Sequence, residues 1–363
     1  MSSSPKSVAF AESPDLPKPA FRDPKHDITL YQADCLEILA ALPEDHVDLI
    51  FADPPYFLSN GGITCHAGRM VSVNKGAWDK SRGPDLNHEF NRAWLAACQR
   101  VLKSNGTIWV SGTSHVIHSV GFAMQQLGFK LLNDISWVKP NPPPNLSCRY
   151  FTHATETIIW AAKSPKSRHK FNYQAMRQEA GGKQMKSVWQ IRPPEREEKI
   201  FGKHPTQKPL ALLERIIRAA SDPGDLVLDP FSGSGTALLA AFRLRRSAVG
   251  CELSGDWLSL SLRRICSDLV HVEVSVSTFQ FSLDLFADLV DRSKEAGSSA
   301  MTALPAKLVR TERTFFFVGA MREVVYSVAA TNLDDAWGKF HSSQSAGIEI
   351  LLVIKSETEI YLA

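Results

Sequence analysis

The sequence lacks the features that mark membrane-spanning, secreted and zinc-binding proteins. No apolar run approaches the roughly 18 residues that a bilayer span requires. Residues 1–25 are rich in Ser, Pro and Lys and contain no apolar core like that of a signal peptide, so we predict a disordered N-terminal segment. The six cysteines show no CxxC or CxxH spacing. These absences predict a soluble, cytoplasmic protein without a metal or disulfides.

Net charge is also low, at +3 over 363 residues, but it is unevenly distributed. Between Lys139 and Lys208 there are 14 Lys and Arg against 5 Asp and Glu, a net of +9, which leaves 3 − 9 = −6 for the rest of the chain. A solvated surface is the usual explanation of such a cluster. A basic segment in an otherwise acidic chain is equally what binding to a polyanion requires.

From residue 28 to 269, short apolar runs alternate with segments of helical periodicity. This alternation predicts a doubly wound α/β domain with a mostly parallel sheet. A turn is predicted at Asn105–Gly106. The predicted strands are 28–32, 47–52, 107–111, 130–138, 157–162, 226–228 and 248–251. The predicted helices are 35–42, 90–102, 116–127, 210–220, 237–244 and 256–269.

Two changes in composition suggest the domain organisation. The polar, basic residues 139–203 interrupt the alternation and form an insertion in a main domain at 26–272. Residues 273–363 carry 12 acids and 8 bases and are interpreted as a small α+β or β-rich appendage. The strands predicted around this appendage are 272–281, 314–318, 323–328 and 348–354.

The stretch LVLDPFSGSGTALLAAFRL, beginning at residue 226, predicts a strand, a glycine-rich turn and a helix. Gly233 and Gly235 allow the backbone to approach a ligand closely, and the N–H groups that open the helix can bind one. Glu252 lies 23 residues after Asp229, at the tip of the next strand, where an acid can hold both hydroxyls of a ribose. Leu238 replaces the third glycine of the dinucleotide pattern, which favours a nucleoside cofactor with an amino-acid tail.

The stretch FADPPYFLSN, residues 51–60, places an acid, two prolines and an aromatic residue after a predicted buried strand. With DPPY preceding DPFSGSG and HPTQKP at 204–209, the chain resembles the β-class S-adenosylmethionine-dependent DNA amino-methyltransferases over roughly residues 28–270. The stretches FADPPYFLSNGGI, PNLSCRYFTHATETIIWA and GKHPTQKP are similar to the second adenine methyltransferases of DpnII-type restriction systems. They resemble cell-cycle-regulated and HinfI-type adenine methyltransferases more distantly. The implied fold is the Rossmann-like methyltransferase fold.

The resemblance implies a site-specific DNA adenine-N6 methyltransferase with Asp53, Pro54, Pro55 and Tyr56 as catalytic residues. Adenine N6 is a poor nucleophile because its lone pair is delocalised into the ring. The Asp53 carboxylate and the Pro54 carbonyl would accept hydrogen bonds from the two N–H groups of this nitrogen and stabilise the positive charge that develops on it. The prolines restrict φ and so fix that carbonyl, and the Tyr56 ring would stack on the extruded base.

The same resemblance implies S-adenosylmethionine as the cofactor. Two interpretations stay open for Asp34, since it is also a candidate N-cap for the helix that follows it. Asp229 and Glu252 could likewise be strand-end caps. The implied cofactor-binding residues are Asp34, Thr206, Lys208, Asp229, Phe231, Gly233, Ser234, Gly235, Thr236 and Glu252.

The basic region 139–203 is the predicted DNA-binding surface. Sites in open α/β sheets lie at the carboxyl ends of strands, and we place this region on the same side as both motif turns. Most of its bases would contact phosphate. The loop 57–84 would close over the target base, with Trp78 filling the gap that the base leaves. The candidate DNA-binding residues are Lys139, Arg149, Lys166, Arg168, Lys170, Arg177, Lys183 and Lys186.

The expected partners are DNA, double-stranded and also single-stranded, a second copy in a homodimer and a cognate restriction endonuclease, with no membrane. DNA would hold the enzyme at the nucleoid. Cytosine-N4 methylation is an alternative within the class, although such enzymes usually begin the motif with Ser instead of Asp53. An NAD-dependent oxidoreductase and a non-catalytic DNA-binding protein are alternatives from other classes. The resemblance suggests GATC, and next GANTC, as the recognition sequence.

Overall fold

The computed structural model describes residues 16–59, 63–66, 69–72 and 79–269, followed by four strands between 313 and 361. The chain divides into two compact units, Met1–Leu262 and Arg263–Ala363. The predicted strand 272–281, Trp78 and residues 1–15 lie outside the described residues. None of the helices in the described part of the chain has the length and hydropathy of a membrane span.

The first unit is built on a nine-stranded sheet with flanking helices and a separate hairpin. Its strands are β1 (Phe21–Asp23), β2 (Ile28–Gln32), β3 (Val47–Ala52), β4 (Ile63–His66), β5 (Arg69–Ser72), β6 (Leu102–Gly112), β7 (Lys130–Val138), β8 (Thr155–Ala162), β9 (Val188–Gln190), β10 (Leu226–Asp229) and β11 (Ser247–Glu252). Its helices are α1 (Cys35–Ala41), α2 (Pro84–Val101), α3 (Ile117–Gln126), α4 (Tyr173–Glu179), α5 (Leu210–Ala220) and α6 (Thr236–Arg243), with a short 3₁₀ turn at Glu197–Lys199. A further helix, α7 (255–269), contains the boundary between the units.

The strand order in the large sheet is β1-β2-β11-β10-β3-β6-β8-β7-β9, while β4 and β5 pair only with each other. The five neighbouring strands from β2 to β6 run parallel, and β7 is parallel to β9. Strands β1 and β8 are antiparallel to their neighbours. The predicted doubly wound, mostly parallel sheet is therefore confirmed.

Apolar sequence explains the packing of the central elements. β3 and β10 are almost entirely buried, as expected of parallel strands covered on both faces, and their sequences show apolar runs instead of strict alternation. In α5, Leu212, Leu213 and Ile216 are buried on one face of the helix. This packing fixes the start of α5, and with it the segment that precedes the helix.

Strand direction divides the sheet into two edges with different roles. We call the edge where β2, β3, β6, β10 and β11 end the carboxyl edge, and the opposite one the amino edge. Because β8 is antiparallel to β6, with Thr157 opposite Gly112 and Ala162 opposite Thr107, β8 begins at the carboxyl edge and ends at the amino edge. The chain that leaves β8 therefore starts on the side away from the ends of the parallel strands.

Most predicted elements occur within a few residues of their expected bounds, but α2 begins six residues before the predicted helix 90–102 and β6 five residues before the predicted strand 107–111. Two other predictions disagree with the structure. Asn105 and Gly106, predicted as a turn, lie inside β6, where the register against β3 shifts between Val47 and Leu49. A Cβ on Gly106 would lie 2.8 Å from the Asp48 carbonyl oxygen, so the glycine is needed for close approach and not for a turn. The predicted disorder of residues 1–25 is wrong for Phe21–Asp23, which pairs with β2.

The second unit contains a four-stranded antiparallel sheet in the order β13-β12-β14-β15. Its strands are β12 (Arg313–Gly319), β13 (Val324–Ala330), β14 (Ile350–Lys355) and β15 (Glu359–Tyr361). The strands predicted at 314–318, 323–328 and 348–354 correspond to the first three of these.

Candidate active site

A buried ion pair lies at the carboxyl end of β3. Lys208 Nζ donates to Asp53 Oδ2 at 2.5 Å, and Tyr56 Oη donates to Asp53 Oδ1 at 2.6 Å. The side chains of Asp53 and Lys208 are only 13% and 5% exposed. Lys208 stands two residues before α5, so the packing of that helix brings it to β3. Lys208 was predicted to bind the cofactor, whereas its nearest charged partner in the structure is Asp53.

Burial and charge oppose each other in this pair. Burial raises the pKa of Asp53, and the positive charge of Lys208 counteracts that rise. For Lys208, burial alone would lower the pKa, but attraction to Asp53 and Glu156 outweighs it and raises the pKa. The lysine is therefore held in its charged form, and its charge favours ionised Asp53.

Glu156, on β8, is a second carboxylate at the site that sequence analysis missed. Its Oε2 lies 3.6 Å from Lys208 Nζ and 3.4 Å from Tyr56 Oη, and its Oε1 accepts a hydrogen bond from Lys139 Nζ. Lys139 was predicted to contact DNA, but the structure pairs it with this carboxylate. An acid at the head of the apolar strand TETIIWAA was the available signal.

Tyr56 is largely buried beside Asp53. The residue is 5% exposed, and its hydroxyl contacts Asp53, Glu156 and Ser111. The hydroxyl ties the side chain into the buried charge cluster, and stacking of the ring on an extruded base stays a prediction. Pro54 is buried, whereas Pro55 faces a neighbouring cavity.

Asp79 shapes the turn that carries Asp53, and it was not among the predicted residues. Its fully buried carboxylate accepts hydrogen bonds from the backbone N–H groups of Tyr56, Phe57 and Leu58 at 2.8–3.1 Å and from Ser59 Oγ at 2.8 Å. Phe57 has φ of 58°, a conformation that non-glycine residues rarely adopt. The carboxylate stabilises this conformation from outside the turn.

The glycine-rich turn forms a second part of the site, between β10 and α6. Gly233 and Gly235 have φ of 50° and 71°. Gly233 N–H donates to Glu252 Oε2 at 2.8 Å, and Ser254 N–H donates to Glu252 Oε1 at 2.8 Å. Burial raises the pKa of Glu252, while these N–H groups oppose the rise. The carboxylate at the tip of β11 is thus oriented by the turn itself.

Two further acids stand beside this turn. Burial raises the pKa of Asp229 to about 8, with the Phe231 N–H opposing. Asp34 accepts from Leu36 N–H at 2.8 Å and is the N-cap of α1, as one of its two interpretations predicted. Its side chain also borders the cavity that Pro55 faces, so both interpretations of Asp34 remain compatible with the structure.

One cavity of about 220 Å³ joins the two turns. His204, Gln207 and Trp257 line it without having been predicted to bind a ligand. Among the described residues, Ser232 Oγ and Gln207 Oε1 are buried without a hydrogen-bond partner. These polar atoms and the glycine turn suit a nucleoside ligand that carries polar groups. The predicted residues in the wall are Asp34, Asp53, Pro55, Thr206, Lys208, Asp229, Phe231, Gly233, Ser234, Thr236 and Glu252.

The structure places part of the predicted DNA-binding set at the amino edge, on the side of the sheet away from Asp53. Lys170 Nζ forms ion pairs with Asp222 and Asp225 at 2.7 and 2.8 Å, just before β10 begins. Lys166 and Arg168 precede it in the segment that leaves β8 at the amino edge. These three residues lie away from Asp53, because β8 is antiparallel and delivers the chain to the amino edge. This placement does not support their predicted contact with DNA, which stays a prediction.

The other predicted bases remain exposed. Arg149 lies in the loop between β7 and β8, which connects two strand ends at the carboxyl edge. Arg177, Lys183 and Lys186 lie on α4 and the segment that leads to β9, and Arg177 Nε donates to the Gly182 carbonyl.

Several exposed basic and aromatic residues at the carboxyl edge were not among the predicted DNA-binding residues. β9 is parallel to β7 and ends there, so the segment that follows it, with Arg192, Arg196 and Lys203 exposed, starts at this edge. Phe151, in the loop between β7 and β8, is 96% exposed. The carboxyl edge therefore offers bases and an exposed aromatic ring close in sequence to the strands that carry the site.

Comparison with known proteins identifies the class. A sequence model of the DNA methylase family, covering N6 and N4 enzymes, matches residues 47–262. The chain belongs to this family and is an S-adenosylmethionine-dependent DNA methyltransferase, so the oxidoreductase and non-catalytic alternatives are wrong.

Two relatives show which members of the family the chain resembles. The chain is 51% identical over 242 residues to the Type II methyltransferase M2.DpnII of Streptococcus pneumoniae, covering 66% of this chain and 90% of that protein. It is 48% identical over 247 residues to the Type II methyltransferase M2.MboI of Moraxella bovis, covering 68% and 90%.

Solved structures agree on the fold. The M1.HpyAVI–SAM complex superposes with a TM-score of 0.50 at 30% identity, covering 66% of this chain and 98% of that one. The PvuII cytosine-N4-specific DNA methyltransferase superposes with a TM-score of 0.54 at 22% identity, covering 68% and 88%, and supports the fold alone. The resemblance inferred from the motifs is thereby confirmed.

We expect Asp79→Ala to impair methyl transfer more than cofactor binding. The change leaves three backbone N–H groups, that of Tyr56 buried and the others partly buried, and the buried Ser59 hydroxyl without their acceptor. A buried group left unsatisfied costs about 1–3 kcal/mol. The turn that carries Asp53 would relax, and kcat should fall at least about tenfold. Steady-state kinetics with thermal unfolding would measure this. Asp134→Ala, which removes an exposed acid on β7, is the control; wild-type kcat in Asp79→Ala would contradict the assigned role.

Gly235→Ala should lower both stability and cofactor affinity, because its Cβ would lie 2.0 Å from Ser261 Oγ. Gly224→Ala is a matched control, since Gly224 also has positive φ, at 89°, but an added Cβ there would meet none of the described atoms within 4 Å. The control reports the conformational cost alone, about 1–2 kcal/mol. Thermal unfolding and calorimetric titration with S-adenosylmethionine would compare the two. Equal losses in both variants would exclude the proposed steric conflict.

Proposed function

We propose that this DNA methyltransferase transfers the methyl group of S-adenosylmethionine to N6 of an adenine extruded from DNA. The observation that carries the proposal is the shared cavity, whose wall contains both the Asp53 carboxylate and the glycine-rich turn with Glu252. A donor held at the turn and an acceptor base at Asp53 would then face each other in one enclosed space.

The first residue of the DPPY turn favours adenine over cytosine. An acid at this position is typical of adenine enzymes, whereas cytosine-N4 enzymes usually carry Ser. The names of the relatives M2.DpnII and M2.MboI fit the same interpretation, since the sequence stretches that resemble DpnII-type adenine enzymes include this turn. Cytosine-N4 methylation remains the alternative, and mass spectrometry of nucleosides from methylated DNA distinguishes the two products.

The proposed role of Asp53 is to accept a hydrogen bond from the adenine amino group as that nitrogen becomes positively charged. Each carboxylate oxygen has two acceptor positions, so the contacts with Tyr56 and Lys208 leave room for the substrate. The Lys208 charge favours the ionised form of Asp53 that this role requires. The Pro54 carbonyl is the proposed second acceptor, fixed by the restricted φ of the two prolines.

The cofactor, when bound, supplies an electrophilic methyl group on a sulfonium. We propose that Glu252 holds the ribose hydroxyls and that Gly233, Ser234 and Thr236 line the path of its chain. A cationic group of the ligand beside buried Asp229, whose pKa is raised to about 8, would restore the ionised form of that carboxyl. Thr206 and Lys208 line the same cavity, and Lys208 also contacts Asp53.

DNA would bind along the carboxyl edge. Arg149, Arg192, Arg196 and Lys203 are exposed there, and most would contact phosphate. Phe151 is 96% exposed and is available for stacking on unpaired bases.

We also propose a partner enzyme, a target sequence and an oligomeric state. The relatives' names as Type II methyltransferases suggest a cognate restriction endonuclease, and the sequence resemblance suggests GATC, with GANTC next, as the target. A homodimer is proposed because the appendage 273–363, with 12 acids and 8 bases, suits a protein contact better than phosphate. Association with the nucleoid would follow from DNA binding. Sequencing that maps modified bases in DNA from cells expressing the protein tests the target site.

Asp53→Ala should abolish turnover and leave cofactor affinity within about twofold of wild type. Removing a positioned acceptor at a developing charge typically costs about 10²–10³ in kcat. Nucleoside mass spectrometry for N6-methyladenine and calorimetry with S-adenosylmethionine measure the two effects. Asp45→Ala is the control, since Asp45 also pairs with a lysine, Lys163, but at the amino edge. Turnover above about a tenth of wild type would contradict the role.

Two double variants, each removing two positive charges, should show which edge of the sheet binds DNA. Arg192→Ala/Arg196→Ala at the carboxyl edge should weaken duplex binding and reduce the slope of log affinity against log salt by about 2. Lys166→Ala/Arg168→Ala at the amino edge should change neither. Fluorescence anisotropy with labelled duplex at several salt concentrations gives both quantities. Equal effects in the two variants would contradict binding along the carboxyl edge.

A further inference from the structure

The second carboxylate of the site, Glu156, has no part in the reaction as proposed so far. Its side chain is 12% exposed, and it stands between two lysines, Lys208 at 3.6 Å and Lys139 in hydrogen-bond contact. It also lies 3.4 Å from the Tyr56 hydroxyl. A carboxylate this deeply buried is costly unless its partners compensate it, so these contacts account for its presence but not for its purpose.

The cluster is balanced in charge. Asp53 and Glu156 contribute two negative charges, and Lys139 and Lys208 contribute two positive ones, while Tyr56 is neutral because burial raises the pKa of its hydroxyl well above the ordinary value. The balance would be lost if any one charged member were replaced by a neutral residue.

Several elements contribute to the surroundings of Glu156. The turn after β3 supplies Asp53 and Tyr56, β6 supplies Ser111 through its contact with Tyr56, the chain directly after β7 supplies Lys139, and the segment before α5 supplies Lys208. Hydrogen-bond and ion-pair contacts join Glu156 to Asp53 through Lys208 and Tyr56, and the charge of Glu156 also acts on Asp53 directly. Glu156 can therefore influence the reacting base through the position of Lys208 and Tyr56 and through its charge.

We propose that Glu156, neutralised by Lys139, is a positioning residue that fixes Lys208 and Tyr56 and thereby holds Asp53 aimed at the amino group of the substrate base. This inference rests on the proposed function and extends it. A simple structural alternative is that the Glu156–Lys139 pair only joins β8 to the chain after β7. That alternative predicts lost stability without a change in the pH dependence of catalysis.

The signs of the expected pH shifts follow from the charges. Glu156 raises the pKa of both Asp53 and Lys208. If turnover needs ionised Asp53 and protonated Lys208, Glu156→Gln moves the acidic and the alkaline limbs of the kcat profile to lower pH. Lys139→Met leaves one excess negative charge and moves both limbs to higher pH. In the double variant the cluster is again neutral, and both limbs return toward the wild-type positions.

The test is a double-variant cycle of kcat against pH for wild type, Glu156→Gln, Lys139→Met and the double variant. Each single change should move the limbs by about one pH unit. Lys163→Met is the matched control, because Lys163 is also 22% exposed and paired with an acid, but at the amino edge. Its limbs should coincide with those of wild type.

Limbs that coincide in all variants, with losses confined to thermal stability, would overturn the proposal, as would a double variant displaced as far as the single ones. The profile is recorded on whichever methylated base wild type produces. If that product is N4-methylcytosine, the proposed adenine specificity fails, while the cycle still decides the role of Glu156.

Discussion

The buried ion pair between Asp53 and Lys208 joins two segments that are 155 residues apart in the chain. It forms because β10 lies beside β3 in the sheet, so that the glycine turn after β10, the DPPY turn after β3 and the segment before α5 meet at one edge. The parallel direction of these strands is therefore the constraint on which the site depends. Acceptor, counter-charge and cofactor turn share one cavity for that reason.

Much of the fold and part of the site could be predicted from local sequence. Periodicity located β7 and α5 at the bounds that the structure shows. The spacing of Asp229, the glycines and Glu252 predicted a glycine-rich turn after one strand and an acid at the tip of the next, and the structure joins the two by a hydrogen bond. These features are encoded within a few turns or strands of chain. The Asn105–Gly106 pair was misread because its glycine serves close packing against Asp48, a contact with a distant strand.

The groups that support Asp53 could not be found in this way. Asp79, Glu156 and Lys208 act through contacts with residues at least 17 positions away, and nothing in their local sequence specifies the partner. Each is an ionisable side chain whose charged form would be costly to bury alone. Their burial becomes informative only when the sheet order is known, since that order decides which charges face each other.

The sheet order also decides how much of the basic segment 139–208 is available to bind DNA. Of its 14 bases, five form ion pairs in the described structure: Lys139, Lys163, Lys170, Arg192 and Lys208. Lys163 and Lys170 do so at the amino edge and Lys139 and Lys208 inside the site, so the net charge of +9 overstates what is available to DNA. An antiparallel β8 divides the segment between two edges. Binding of the polyanion must then depend on the loops before β8 and after β9, where exposed bases lie at the edge that also carries Asp53.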